Sequence, residues 1–339
     1  MRSRWDAAPT NQEYNMEHII HPASAPSPAD LVDALNHTFG KHPGQRASHA
    51  KGFCASGQFT PTMEAAGFAN GPIFRDGHLQ ATLRFSVGGG NPGVSDKSRS
   101  VRGLAVRIGQ GAEHWDLVLL SEPVFFAATP ESFVSFLAAR VADPETKKPN
   151  PDNIAAHNLK FPDGARQPAL LAAHAAPASY ADTRYYSNNA FVFHSVTGES
   201  TTARIIAIPA AGTRYLTAEQ EQSFPDNFLE DELATRLAQG PVDFEIVAQL
   251  PAAGDSLVDS SLPWQGAGHV SLGRLRVTSL AGAGACDDMV FVPVNLPAGL
   301  SPSDDRGAGS DRHRHEPGQW RFRRRLAWPD GDPTPRPRR

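Results

Sequence analysis

Two blocks of short β-type segments constrain the fold of this chain most strongly. Residues 51–126 contain the runs GQFTPT, HLQATLRFSV, SVRGLAVRI and HWDLVLL, and residues 186–280 contain NNAFVFHSV, STTARIIAIP, VDFEIVAQLP and HVSLGRLRVTSL. Each run is rich in β-branched, aromatic and leucine residues and is bounded by glycine, asparagine or aspartate, as is typical of strands joined by turns. Two such blocks with helices between them predict an α+β fold, an antiparallel closed barrel with inserted and peripheral helices.

Helices are predicted around and within these blocks. Leu31, Leu35 and Phe39 stand four residues apart, which favours an amphipathic helix over residues 29–39. Thr129 followed by Pro130 is a typical helix start, and this helix is expected to run to about residue 143, with a loop-and-helix connection to about residue 180. A single helix is predicted over residues 217–239, ended by a glycine at position 240.

The composition is that of a soluble globular protein, with 40% hydrophobic and 20% charged residues. No apolar run approaches the ~18 residues that span a bilayer, and the polar N-terminus lacks the apolar core of a secretory signal. Cys54 and Cys286 have no metal-ligand spacing, so we expect buried free thiols in a reducing compartment. These features predict a cytoplasmic protein without a membrane partner.

The two ends of the chain differ from its body. Residues 1–28 are polar and proline-rich and are expected to form a flexible arm, which leaves residues 29–305 as the folded domain. Residues 306–339 hold ten arginines against four acidic residues and lack Ile, Val, Tyr and Lys, so no core element is expected there. A basic tail often binds nucleic acid. The abrupt change after Asp305 instead favours the hypothesis of a shifted reading frame, which resequencing of the coding region tests, and predicts no nucleic-acid partner.

The run HPGQRASHAKG at residues 42–52 is the first candidate for chemistry. It places His49 at a helix-to-strand junction beside Ala50 and Gly52, where small residues let a flat ligand approach. Taken alone, this run also fits an ordinary loop histidine beside a turn glycine. It is followed in order by LRFS at 83–86, RGLAV at 102–106, WDLV at 115–118, PVFF at 123–126, DDMVF at 287–291 and LSPSDD at 300–305. In this combination the chain resembles the haem catalases and the smaller catalase-related peroxidases, from about residue 29 to 305.

The resemblance implies a catalase-type barrel and roles for four polar residues. His49 corresponds to the distal histidine that moves a proton between the two oxygens of a peroxide. Ser86 corresponds to the serine that hydrogen-bonds the other imidazole nitrogen. Arg46 and Arg84 correspond to arginines that pair with haem propionates.

The resemblance also implies haem b as the cofactor, with a peroxide and a small organic electron donor as partners. Phe125 and Phe133 are expected to pack on the porphyrin or line its pocket. True catalases carry a distal asparagine where this chain has Leu120, so peroxidase activity with weak or no catalase activity is expected.

A second departure concerns the iron ligand. The family ligates iron with a tyrosinate shortly after the segment that matches residues 300–305, whereas the last tyrosine of this chain is Tyr215. His313 and His315 are the candidate substitutes in the expected region.

Three functions therefore stay open at this stage: an active peroxidase with a substituted ligand, a haem-poor barrel that is inactive or binds small molecules, and a lipocalin-like carrier. The joint presence of His49, Arg84, Ser86 and Phe125 argues against the carrier, which needs no such set. The physiological reductant, the preferred peroxide and any homo-oligomer are not determined by these patterns.

Overall fold

In the described part of the chain, eight long antiparallel strands form a closed barrel, and a ninth short strand pairs with the fifth. The computed structural model describes residues 25–303 except 76, 112 and 283. The strands run in the order β4-β3-β2-β1-β8-β7-β6-β5-β9, and pairing of Leu120 with Tyr186 joins β4 to β5 and closes the barrel. The bounds are β1 Gly52–Pro61, β2 Leu79–Val87, β3 Arg102–Gln110, β4 Glu113–Leu120, β5 Tyr185–His194, β6 Ser200–Pro209, β7 Val242–Gln249, β8 His269–Leu280 and β9 Leu300–Pro302.

The barrel interior is filled by aromatic and aliphatic side chains. Phe59, Trp115 and Phe244 are fully buried, and the Phe59 and Trp115 rings meet edge to face with centroids 6.4 Å apart. Burial of each such side chain stabilises the fold by roughly 1.5–3 kcal/mol. The β4–β5 pairing joins the two ends of the strand order, so the predicted α+β barrel is confirmed.

Seven α-helices are described around the barrel. Their bounds are α1 Pro28–Phe39, α2 Met63–Phe68, α3 Pro130–Ala138, α4 Pro151–Lys160, α5 Arg166–Ala172, α6 Ala218–Ser223 and α7 Phe228–Gln239, with single 3₁₀ turns at Pro72–Phe74, Pro162–Ala165 and Tyr180–Asp182. Among the described residues, none of these helices has the length and apolarity needed to cross a membrane.

Helices α1 and α3 pack on each other and form a second, smaller core outside the barrel. Leu31 and Leu35 of α1 are buried against Phe133 and Leu137 of α3. Thr38 joins the two helices, since its hydroxyl donates to the Leu137 carbonyl at 3.2 Å. This helical pair lies over one side of the barrel and forms a wall of the candidate site.

Two sequence predictions are wrong. The helix predicted over residues 217–239 is two helices, α6 and α7, because Pro225 lies between them and a proline disrupts the helical hydrogen-bond pattern. The two cysteines are not free thiols but form a Cys54–Cys286 disulfide. This pairing joins residues 232 positions apart, which no local spacing reveals, and it removes the cysteine argument for a reducing compartment. Cytoplasmic localisation stays a prediction from the N-terminal sequence.

The predicted arm and tail fall mostly outside the described residues. Of residues 1–28, only 25–28 are described, and Pro28 already opens α1 with Ser27 as its N-cap. The segment 306–339, with His313 and His315, lies wholly outside the described residues.

Candidate functional site

A cavity of about 470 Å³ lies between strands β2, β3 and β4 and helices α1, α3 and α5. All six residues predicted to form the site line this one cavity: Arg46, His49, Arg84, Ser86, Phe125 and Phe133. Most of the remaining lining is apolar, and no carboxylate among the described residues lines it. The cavity is therefore an apolar pocket with a few convergent polar groups, the usual form of a small-molecule or cofactor site.

His49 is held at the cavity by an unusual backbone conformation. It lies between α1 and β1 with φ at 55°, in the left-handed region that few non-glycine residues adopt. The next residues fix this turn against the end of β2, since the Ala50 amide donates to the Gly89 carbonyl at 3.1 Å and the Val87 amide donates to the Lys51 carbonyl at 3.0 Å. The left-handed turn thus sets the position from which the imidazole meets the cavity.

The His49 imidazole has a hydrogen-bond partner in Ser86 on β2, whose side chain is buried. The His49 Nδ1 atom lies 2.9 Å from the Ser86 Oγ atom, within hydrogen-bond distance. A partner on Nδ1 selects the tautomer and the ring orientation. It therefore controls whether the opposite nitrogen, Nε2, carries a proton.

Gly103 makes room for this pair and was not identified as a site residue from the sequence. It pairs directly with Ser86 across β2 and β3. A Cβ atom at Gly103 would lie 2.5 Å from the Ser86 Oγ atom and 2.7 Å from the His49 Nδ1 atom. Only glycine fits without displacing one of these atoms, which gives a structural reason for the glycine of the RGLAV motif.

Two arginines that line the cavity supply positive charge: Arg84 is buried and Arg46 is partly buried. Burial and the nearby charge of Arg46 together lower the pKa of Arg84 to about 10. Arg46 donates to the carbonyls of Met289 at 2.7 Å and Cys286 at 2.9 Å, and burial lowers its pKa, opposed by Asp287. Two adjacent guanidinium groups in an apolar cavity suit a dianion, and planar donor forks match carboxylates.

The disulfide supports this cationic pair. Cys54 lies opposite Arg84 in the β1–β2 ladder, and Cys286 belongs to the segment that accepts hydrogen bonds from Arg46. The covalent link therefore joins the strand next to Arg84 with the loop that holds Arg46.

Four phenylalanines form one aromatic wall. Phe126 is central, with its ring centroid 4.4 Å from Phe125, 5.0 Å from Phe133 and 4.4 Å from Phe136. Sequence reasoning identified Phe125 and Phe133 but missed Phe126 and Phe136. The signal was present, since Phe126 follows Phe125 directly and Phe136 stands one helical turn after Phe133 on α3.

Leu120 ends β4 and lines the same cavity. It pairs with Gly103 across β3 and β4, so Ser86, Gly103 and Leu120 form one row across three strands. An apolar side chain therefore stands in this row, where it offers no hydrogen bond to a molecule in the cavity.

The described residues would fit one side of a haem and its two carboxylates, but they do not include a tyrosine for its iron. The histidine–serine pair, the two arginines and the aromatic wall have the chemistry of a distal pocket. None of the described tyrosines lines the cavity, and within residues 25–303, gaps excepted, no cluster of three or more His, Cys, Asp or Glu side chains forms a metal site. Within the described part of the chain, no tyrosine at the cavity is therefore available to hold a haem iron.

Comparison with known proteins matches this picture. The family model described as "Catalase" matches residues 25–250. The catalase-related peroxidase of Synechococcus elongatus is 34% identical over 288 residues, which cover 84% of this chain and 85% of that protein. The catalase-related peroxidase of Mycolicibacterium paratuberculosis is 35% identical over 284 residues, 82% of this chain and 89% of that protein.

Solved structures show the same fold. A fungal catalase superimposes with a TM-score of 0.69 at 21% identity, covering 81% of this chain and 59% of that chain. Catalase A from Saccharomyces cerevisiae gives a TM-score of 0.68 at 20% identity, covering 80% of this chain and 60% of that chain. This chain therefore spans only about three fifths of the length of these catalases.

Proposed function

Because the chain belongs to the catalase family, we propose that it is a haem-dependent peroxidase that reduces hydrogen peroxide or organic hydroperoxides. The observation that carries this proposal is the His49–Ser86 pair at 2.9 Å, at a largely apolar cavity that Arg46 and Arg84 also line. Haem b, when bound, supplies the iron that exchanges electrons with peroxide and donor.

The binding roles follow from the chemistry of the cavity walls. Arg46 and Arg84 would hold the propionate groups. The negative propionates would neutralise the two guanidinium charges, which are otherwise costly to bury. Phe125 and Phe133 pack along the porphyrin edge or line its pocket, and the aromatic wall excludes water.

The proton chemistry belongs to His49. With Nδ1–H donating to Ser86, the Nε2 atom carries no proton and would accept the proton of the inner peroxide oxygen. His49 then returns that proton to the outer oxygen, so the leaving group departs as water or alcohol rather than as an anion. Overall, ROOH, two electrons from a small organic donor and two protons give ROH and water.

Weak or absent catalase activity is part of the same proposal. Dismutation needs a second hydrogen peroxide held in the pocket as the reductant. Leu120 offers no donor for that molecule, so reduction by an organic donor is favoured.

A second candidate function is a haem-poor barrel, either inactive or binding small molecules. The lack of a described tyrosine at the cavity favours it. The candidate ligands His313 and His315 lie outside the described residues, and either one serves the first function only if it reaches the iron.

The deciding experiment is the absorption spectrum of the full chain expressed with added haem, before and after stoichiometric peroxide. A Soret band that changes rapidly with peroxide in the wild type, and about 100-fold or more slowly in His49→Ala, is expected for a working acid–base residue. The exposed His269 on β8 provides the matched control, and His269→Ala is expected to behave as the wild type. A folded protein that retains no haem would favour the haem-poor barrel, and an unchanged rate in His49→Ala would refute the role of His49.

A further inference from the structure

The cavity is lined by more arginines than the two carboxylates of haem can neutralise. Four arginines line the cavity, Arg46, Arg84, Arg99 and Arg140, and no described carboxylate does. Haem has two propionates, which the proposed function assigns to Arg46 and Arg84. Two guanidinium groups are left for another ligand.

Arg99 already has partners in the protein. Its Nη2 atom lies 3.6 Å from a carboxylate oxygen of Glu221, and its Nη1 atom donates to the His174 carbonyl. About half of its side chain is exposed, so solvent also compensates its charge.

Arg140 is different, because no described acidic side chain forms an ion pair with it. It follows α3 directly, and its Nη1 atom donates to the Phe136 carbonyl at 3.2 Å. Its guanidinium lies over the Phe136 ring, 3.4 Å from the centroid. Burial lowers the pKa of Arg140 to about 10, and no described carboxylate opposes that change. The ring and the carbonyl hold the guanidinium in place and leave its remaining N–H groups available to a ligand.

Arg140 also lies apart from the pair assigned to haem. The three arginines that are compared belong to different elements, and Arg140 is the one that contacts the Phe136 ring. The pair is carried by β2 and by the loop before β1, and Arg140 is carried by the end of α3. The cavity therefore has a second, separate cationic position beside its aromatic wall.

We propose that Arg140 is a specificity-determining residue, which binds the carboxylate of an organic hydroperoxide that has an apolar body. The inference rests on the proposed function, since it names the class of peroxide that the same cavity takes. The peroxide, rather than the electron donor, is the molecule that must enter the cavity to reach His49. Phe125, Phe126 and Leu120 contact the apolar body, and the carboxylate at its other end is not changed by the reaction. The hydroperoxide group becomes an alcohol and water, with electrons from the organic donor.

Binding of unreactive analogues tests this without turnover. Decanoate and 1-decanol have the same number of carbons and differ in the anionic head, and their affinities for the full chain are measured by titration calorimetry. In Arg140→Gln the dissociation constant of decanoate is expected to rise about tenfold or more, while that of 1-decanol stays unchanged. Arg140→Lys is expected to keep the larger part of the decanoate affinity, because it keeps the charge.

Controls separate this site from other arginines. Arg274 lies exposed on β8 outside the cavity, and Arg274→Gln is expected to bind decanoate as the wild type does. Arg140→Met keeps the apolar stem on Phe136 and replaces the Gln variant if circular dichroism shows that the latter is unfolded. Equal decanoate affinity in the wild type and in a folded Arg140 variant would overturn the proposal, as would a loss found only in Arg84→Gln.

The haem content of each preparation keeps the two proposals distinguishable. If the protein retains haem and reduces hydrogen peroxide but binds decanoate no more tightly than 1-decanol, only the role of Arg140 is overturned. A preference that depends on Arg140 in a protein that binds no haem would support the anion site and contradict the peroxidase function.

Discussion

Replacing Gly103 by alanine adds one methyl group where the structure has no room for it. The new Cβ would lie 2.5 Å from the Ser86 Oγ atom and 2.7 Å from the His49 Nδ1 atom, whereas ordinary van der Waals contact begins at 3.4 Å. Since β2 and β3 are paired along Ala81–Val87, the strands do not separate easily, and the two side chains must move instead. Both atoms of the His49–Ser86 hydrogen bond are therefore pushed by nearly an ångström.

The cost has two parts. Overpacking of this kind destabilises a protein by about 1–3 kcal/mol, and loss of the hydrogen bond adds about 1 kcal/mol. A displacement of about 1 Å in a catalytic group lowers a rate by about 100-fold. We therefore expect Gly103→Ala to reduce peroxide turnover by about that factor, and to lower the free energy of unfolding by about 2–4 kcal/mol.

Urea unfolding and stopped-flow kinetics of peroxide reduction are the two assays. Gly67 on α2 is the matched control, because a Cβ added there meets no atom within 4 Å, and Gly67→Ala is expected to keep the peroxide rate and to raise stability by about 0.5–1 kcal/mol. A Gly103→Ala protein with the stability and peroxide rate of the wild type would refute the conclusion that the His49–Ser86 pair needs the space beside Gly103.

Three further predictions concern the same region. Ser86→Ala removes the partner of His49 and is expected to lower the peroxide rate about 10- to 100-fold with little change in thermal stability; an unchanged rate and pH profile would contradict the role of Ser86. Leu120→Asn introduces a donor and is expected to raise oxygen release from hydrogen peroxide about tenfold, measured with an oxygen electrode, and no increase would argue that Leu120 does not limit catalase activity. Cys54→Ser removes the disulfide with Cys286 and is expected to cost about 2–4 kcal/mol in urea unfolding. A reductant should lower the stability of the wild type to that of this variant and leave the variant unchanged, and a reductant without effect on the wild type would show that the link is absent.

Most of the barrel was predictable because strand formation depends on local patterns. All eight barrel strands overlap the runs identified in the sequence, and β2, β6 and β8 agree to within a residue at each end. β1 begins earlier than predicted, at Gly52 rather than Gly57. The first residues of β1 follow the motif around His49, where glycine and alanine weaken the strand pattern. Pairing with β2 extends the strand back to Gly52.

The errors concern features that depend on distant or subtle interactions. Pro225 lies within the predicted helix, whereas the capping signals at Thr217 and Gly240 favour one continuous helix between them. The disulfide depends on a loop near residue 286 returning to β1, which is a property of the whole chain. Gly103 was noted as part of a motif, yet its role became clear only when the neighbouring strand placed Ser86 and His49 around it.

The sequence by itself indicated the eight strand-forming runs and the helix starts at Thr129 and Thr217, and its resemblance to the catalases implied the candidate site residues. These features follow from periodicity, capping and short motifs, all of which act over a few neighbouring residues. Only the tertiary structure decided that the predicted site residues line one cavity, that Cys54 pairs with Cys286, and that Arg140 lies beside the aromatic wall without a described acidic partner. The physical reason is that packing, charge compensation and close approach depend on which distant segments the closed barrel brings together.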